Sequence, residues 1–113
     1  MATILTDHAT EKSIYVITAS FVNEDGAAVT PTAATWTLTD RAGTVINSRS
    51  AVSITPLATS ATIVLQGNDL ALADARKRAR FVTIEYAYTS ALGTGLPGKV
   101  EVEFYIDALR AVS

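Results

Sequence analysis

Arg80-Phe81-Val82-Thr83-Ile84-Glu85-Tyr86-Ala87-Tyr88 alternates in character from one residue to the next. Val82, Ile84, Tyr86 and Tyr88 fall on one face of an extended chain, and Phe81, Thr83, Glu85 and Ala87 on the other, the period-two pattern of a half-buried strand. It reads as the central strand of a sheet. Lys99 to Ile106 repeats the pattern, with Val100, Val102, Phe104 and Ile106 on one face and Lys99, Glu101, Glu103 and Tyr105 on the other. Ser90 to Gly98, with three glycines and a proline, is expected to join the two as a long surface loop. Directly opposed residues in an antiparallel pair share a face, so even-numbered positions must meet even-numbered ones. Among such registers, Glu85 opposite Lys99 is electrostatically preferable to Glu85 opposite Glu101 or Glu103.

Upstream, residues 1–11 lack periodicity and read as an extended N-terminal arm outside the core, with residues 12–113 forming the folded domain. Lys12 to Val22 is strand-like, but Ile14 and Val16 on one face and Tyr15 and Ile17 on the other make both faces apolar. Such a strand either switches sheets or is covered on both sides, within the fold or by a subunit contact. Asn23-Glu24-Asp25-Gly26 and Asp40-Arg41-Ala42-Gly43 are turn sequences. Between them Ala34-Thr35-Trp36-Thr37-Leu38-Thr39 points Trp36 and Leu38 inward. A short strand at Thr44 to Asn47, an edge segment at Ala51 to Ile54 and a strand at Ala61 to Leu65 complete the set. Asn68 or Asp69 is expected to cap a short helix through Leu70, Leu72, Ala73 and Ala75, with Asp74 and Arg78 one turn apart on it.

The pattern predicts an all-β fold: an immunoglobulin-like antiparallel β-sandwich of about seven strands with a short helix in one crossover. A small barrel is the alternative. At 113 residues the chain has the size of one domain, and 49% hydrophobic against 18% charged residues argues for a folded chain. The mean hydropathy of +0.28 is high for a small monomer and points to apolar surface covered by a partner. With no cysteine there is neither a disulfide framework nor a thiolate metal site, and a cytoplasmic origin is expected. No signal peptide or membrane span is read in the sequence. The net charge of −2 argues against nucleic acid as a partner.

Candidate chemistry is sparse. His8, the only histidine, lies in the arm without a carboxylate cluster nearby in sequence, and a solvated arm residue is the simpler reading than a catalytic or metal role. Glu85, Glu101 and Glu103 are placed on one outer sheet face, where acidic residues ordinarily keep a sheet soluble, and no calcium-loop pattern accompanies them. Arg76-Lys77-Arg78-Ala79-Arg80 is the one basic cluster, read first as a solvated connection, second as a protein contact and last as a nucleic-acid contact. No nucleophile elbow or phosphate loop occurs. No catalytic residue, metal ligand or cofactor site is therefore assigned.

The order of segments is more telling than any one of them. Phe21-Val22-Asn23-Glu24-Asp25-Gly26, Val29-Thr30-Pro31-Thr32, Ala34 to Asp40, Ala61 to Leu70, Arg80 to Tyr86 and Leu92 to Pro97 together resemble small immunoglobulin-like structural proteins of tailed bacteriophages and prophages, over roughly residues 13–107. The resemblance implies a non-enzymatic virion component made in the bacterial cytoplasm and incorporated in many copies, as a head decoration or a neck or tail attachment. Its expected partners are other virion proteins and its own copies, without nucleic acid or membrane. Ile4, Leu5, Tyr15, Leu92, Leu96, Arg76 and Arg78 are the candidate partner-binding residues. The alternative is a carbohydrate- or host-surface-binding sandwich using Tyr86, Tyr88, Tyr105 or loop residues as a platform.

Overall fold

The computed structural model describes residues 3–5, 8–55, 57–72 and 78–107, with side chains from residue 5 onward. The fold is all-β. Its strands are β1 (Thr3–Ile4), β2 (Ala9–Thr10), β3 (Ile14–Ser20), β4 (Ala33–Thr39), β5 (Val52–Ser53), β6 (Ser60–Gln66), β7 (Ala79–Ser90) and β8 (Gly93–Asp107). A mixed sheet runs in the order β1-β8-β7-β4-β5, with β2 also on β8, and a separate two-stranded sheet joins β3 to β6. β1 and β2 lie parallel to β8, whereas the β8-β7, β7-β4 and β4-β5 pairs are antiparallel.

β7 is central, as its alternation predicts. Val82 and Ile84 are fully buried, Tyr86 and Tyr88 nearly so, and the predicted pairing of Glu85 with Lys99 is the observed one. That register builds inward rows across the sheet: Val100, Ile84, Trp36 and Val52 in one, and Val102, Val82 and Leu38 in the next. The second sheet closes over them with Ile17, Ala19, Ala61, Ile63 and Leu65. Tyr15 stacks on Phe104 with ring centroids 4.8 Å apart, and Phe21 meets Tyr86 edge-on at 5.0 Å. The two predicted turns form by the same device. Asn23 Oδ1 accepts from the Asp25 and Ala27 N–H groups and Asp40 Oδ1 from those of Ala42 and Thr44, with Gly26 and Gly43 at positive φ.

The structure departs from the sequence reading at several places. Ser90 to Gly98 is not a loop. Ser90 pairs with Gly93 across a turn at Ala91-Leu92, and β8 continues through Leu96, Pro97 and Gly98 opposite Tyr88, Ala87 and Tyr86. Gly98 pairs with Tyr86 across the ladder and the Tyr86 ring lies over it, which requires a glycine: a Cβ there would stand 2.3 Å from Tyr86 Cζ. Pro97 is tolerated because its stretch of β8 has no second strand beside it among the described residues. Thr44 to Asn47 contributes only an isolated bridge from Val45 to Thr39, since Asn47 and Ser48 turn to positive φ. The arm expected outside the core is laid along β8, and Ala9 is 1% exposed within the core.

The expected helix is a single 3-10 turn at Gly67–Leu70, after which Ala71 is extended; Ala73, Asp74 and Ala75 lie outside the described residues. Asp69 is fully buried there. Its Oδ1 accepts from Arg49 Nε and Asn47 Nδ2, each at 2.8 Å, and its Oδ2 accepts from the Gln66 N–H at 3.2 Å. Burial alone would raise its pKa. The hydrogen bonds from Arg49, Asn47 and Gln66, with the charge of Arg49, outweigh that and hold the carboxyl below its ordinary value. Arg49 in turn lies 6.0 Å from the Trp36 ring centroid. The carboxylate thus fastens the irregular chain after β4 to the end of β6.

Gly98→Ala is expected to lower stability by about 1–3 kcal/mol, because the Tyr86 ring must leave a packed site; an unchanged urea midpoint would show that the ring is not fixed over Gly98. Asp69→Ala is expected to cost about 2–4 kcal/mol by stranding Arg49 and Asn47. Because the folded-state pKa of Asp69 is lowered, its contribution is complete above the unfolded-state carboxylate pKa and lost as pH falls through the folded-state value. The variant's acid-unfolding profile should lack that component, and profiles of the same shape would contradict the assignment.

Candidate interaction surface

The β3-β6 ribbon carries the most distinctive surface. Its register pairs Ile14 with Gln66, Val16 with Val64, Thr18 with Thr62 and Ser20 with Ser60, and all eight side chains point away from the core. None is charged. Ile14 is 59% exposed, Val16 53% and Val64 42%, so a β-branched apolar patch sits at one end of an otherwise hydroxyl-rich face. The alternate residues Ile17, Ala19, Ala61, Ile63 and Leu65 hold the ribbon down on the core.

This placement redistributes the predicted partner-binding residues. Tyr15 lies on the inner face, half-buried against Phe104, so the two-sided apolar character of its strand is exposed through Ile14 and Val16. Leu5 is half-buried against the core and its N–H donates to Glu103 O at 2.8 Å. The Ile4 backbone pairs with Glu103; its side chain lies outside the described residues. At the far end of the long hairpin, Leu92 is 72% exposed while Leu96 packs back on the core. Arg76 lies outside the described residues and Arg78 is exposed. No common surface is established for these residues.

Arg80 corrects the reading of the basic cluster as a solvated connection. As an even-numbered residue of β7 it turns inward, is 5% exposed, and donates from Nη1 to Ala79 O at 2.9 Å. Burial lowers its pKa against the opposing charge of Asp40. The three glutamates do not form one acidic site. Glu85 faces Lys99, Glu101 faces Thr83, and Glu103 is buried beneath Arg41 at 3.1 Å and the Tyr105 hydroxyl at 2.9 Å. His8 is exposed with Nδ1 2.9 Å from Asp107 Oδ1. Among the described residues no group of three or more His, Cys, Asp or Glu is placed to hold a metal ion, and no helix is long and apolar enough to cross a membrane.

Tyr86 and Tyr88 do not present an aromatic platform. Both are buried; Tyr86 donates to Val22 O at 2.8 Å and Tyr88 to Glu24 Oε1 at 3.2 Å. Burial first, then the Glu24 carboxylate, pushes the Tyr88 phenol up and keeps it a donor. The rings fasten the Asn23–Gly26 turn to β7, which the sequence signal of paired tyrosines did not specify. No protein-family model, curated protein or solved structure matches the chain.

Replacing Val16 and Val64 together by lysine is expected to change the unfolding free energy by no more than about 1 kcal/mol, since both already face water in the isolated chain. A loss well beyond that in urea titration would place these side chains in the core.

Proposed function

We propose that the chain is a non-enzymatic virion structural protein of a tailed bacteriophage or prophage, an immunoglobulin-like module held in many copies by protein-protein contacts at the head, neck or tail. The observation that carries this reading is the uncharged outer face of the β3-β6 ribbon, where Ile14, Val16 and Val64 are exposed together. An apolar, β-branched face rimmed by hydroxyls favours a protein surface over a phosphate backbone or a charged ligand. The order of strand-and-turn motifs from Phe21 to Pro97 supports the phage resemblance.

The immunoglobulin-like description is supported by connectivity. β4, β7 and β8 lie side by side in one sheet, β3 and β6 pair in the other, and the chain crosses between sheets from β3 to β4, from β5 to β6 and from β6 to β7. That order corresponds to strands B and E facing C, F and G of an immunoglobulin sandwich, with β5 beyond C and the arm beside G. The carbohydrate-binding alternative draws less support, because Tyr86 and Tyr88 are buried and the Tyr105 hydroxyl is engaged by Glu103. Virion assembly in the bacterial cytoplasm remains the localisation this reading carries.

Immunogold labelling of purified particles from the encoding phage, with an antibody to this chain, is expected to decorate the head, the neck or the tail. Unlabelled intact and disrupted particles, alongside positive infected cells, would overturn the virion reading. Removing residues 1–5 is expected to lower occupancy on particles while sparing Ala9, whose burial makes deletion of the whole arm a folding defect as well.

A further inference from the structure

Among the described residues β6 pairs on one side only. The Gly67 N–H donates to Ser13 O and the Phe21 N–H to Thr59 O, which bracket the ribbon and place its bonded pairs at odd-numbered residues. The backbone N–H and C=O groups of Ser60, Thr62 and Val64 therefore point away from β3. The Gln66 N–H, in the same row, is taken by Asp69, but no strand pairs with the row among the described residues. The free edge lies on the β4 side of the molecule: Tyr15 stacks β3 over β8, whereas Asp69, just past β6, reaches Arg49 and Asn47 beyond β4. β3 has its own unpaired edge among the described residues, on the β8 side where Tyr15 stacks on Phe104, and Glu11 and Lys12 precede it in the chain.

Exposed edges are ordinarily blunted by charge, proline or shortness. The larger sheet follows that rule. The unpaired stretch of β8 carries Pro97, Lys99 and Glu101, and the outer strand β5 has two residues. β6 is seven residues long, Ser-Ala-Thr-Ile-Val-Leu-Gln, without a charge or a proline. β3 is equally long and free of charge and proline, with Glu11 and Lys12 just before it, so both edges of the ribbon differ from those of the larger sheet, and that of β6 is open to pairing.

We infer that the partner of this edge is β6 of a second copy of the chain, joined antiparallel about a two-fold axis into a continuous four-stranded sheet, β3-β6-β6-β3. This rests on the reading of the chain as an assembly module and names one of its contacts. The commitment to a second copy comes from charge. A two-fold axis sets each strand against itself, so a charge near its centre meets its own like, whereas a strand from another protein could supply the opposite sign. In either register that keeps faces matched, about Thr62 or about Ile63, the outward residues Ser60, Thr62, Val64 and Gln66 meet without any charge. The pairing also continues the apolar patches of Val16 and Val64 across the seam. One strand edge buries little area, so the dimer is weak in solution and gains its effect where many copies are held close.

Sedimentation equilibrium of the full chain up to about 1 mM, the range in which weak contacts are populated, tests the pairing. The mass is expected to rise from 11.9 kDa toward twice that value. Thr62→Pro deletes an outward N–H and leaves the β3 bonds intact, so it should stay monomeric with its β-sheet circular dichroism retained, while Thr18→Pro on the β3 edge should dimerise as the parent does. Should Thr62→Pro fail to fold, Val64→Lys serves instead, with dimerisation weakened at low salt and recovered at high salt. A parent chain that is monomeric throughout, or a dimer that survives Thr62→Pro and is lost in Thr18→Pro, overturns the inference. Particle labelling is scored separately, so a monomeric chain that still decorates particles removes the self-pairing and leaves the virion reading in place.

Discussion

Hydrogen bonding of β7 along both of its sides is the constraint on which the larger sheet depends. Its partners β4 and β8 can be shifted only by two residues at a time, because a one-residue slip would turn Trp36, Leu38, Val102 and Phe104 out to water. The same parity holds Thr35, Thr37 and Thr39 and the acidic positions of β8 on the opposite face. Burial of one face therefore specifies the registers of both neighbours.

No ladder joins the two sheets among the described residues; Ile17, Ala19, Ala61, Ile63 and Leu65 bury the second against the first, and a few polar and aromatic contacts fasten the connecting chain. Asp69 gathers Arg49, Asn47 and the Gln66 N–H, compensating with four hydrogen bonds for the removal of its charge from water. Tyr86 and Glu24 bring the turn after β3 against β7. Glu103, buried on the outer face, is likewise satisfied by Arg41 and Tyr105. These contacts lie where the chain is irregular and backbone pairing cannot specify its path.

Much of the fold was legible because period-two alternation and turn chemistry act locally. β7, β4, the Glu85–Lys99 register and the two Asx-type turns all follow from residues within one strand or one turn. What escaped required knowledge of distant neighbours. Glycines and a proline at Gly93 to Gly98 read as a loop, and only the Tyr86 ring lying on Gly98 explains why a glycine stands in what is a paired strand. Asp69 read as a helix cap, and nothing nearby in sequence reveals that Arg49 claims it. The exposed ribbon was half legible: Ile14 to Ile17 announced two apolar faces, but which one turns outward depends on Tyr15 finding Phe104.

The parallel seating of β1 and β2 on β8 has a mechanical consequence. A pull applied between the beginning of the arm and the end of β8 runs along the strands, so the bonds at Val102, Glu103, Ile106 and Asp107 are strained together in shear instead of being peeled open one after another. Two short ladders, the second anchored by the buried Ala9, thus form a clamp that resists such a pull until it yields as a unit.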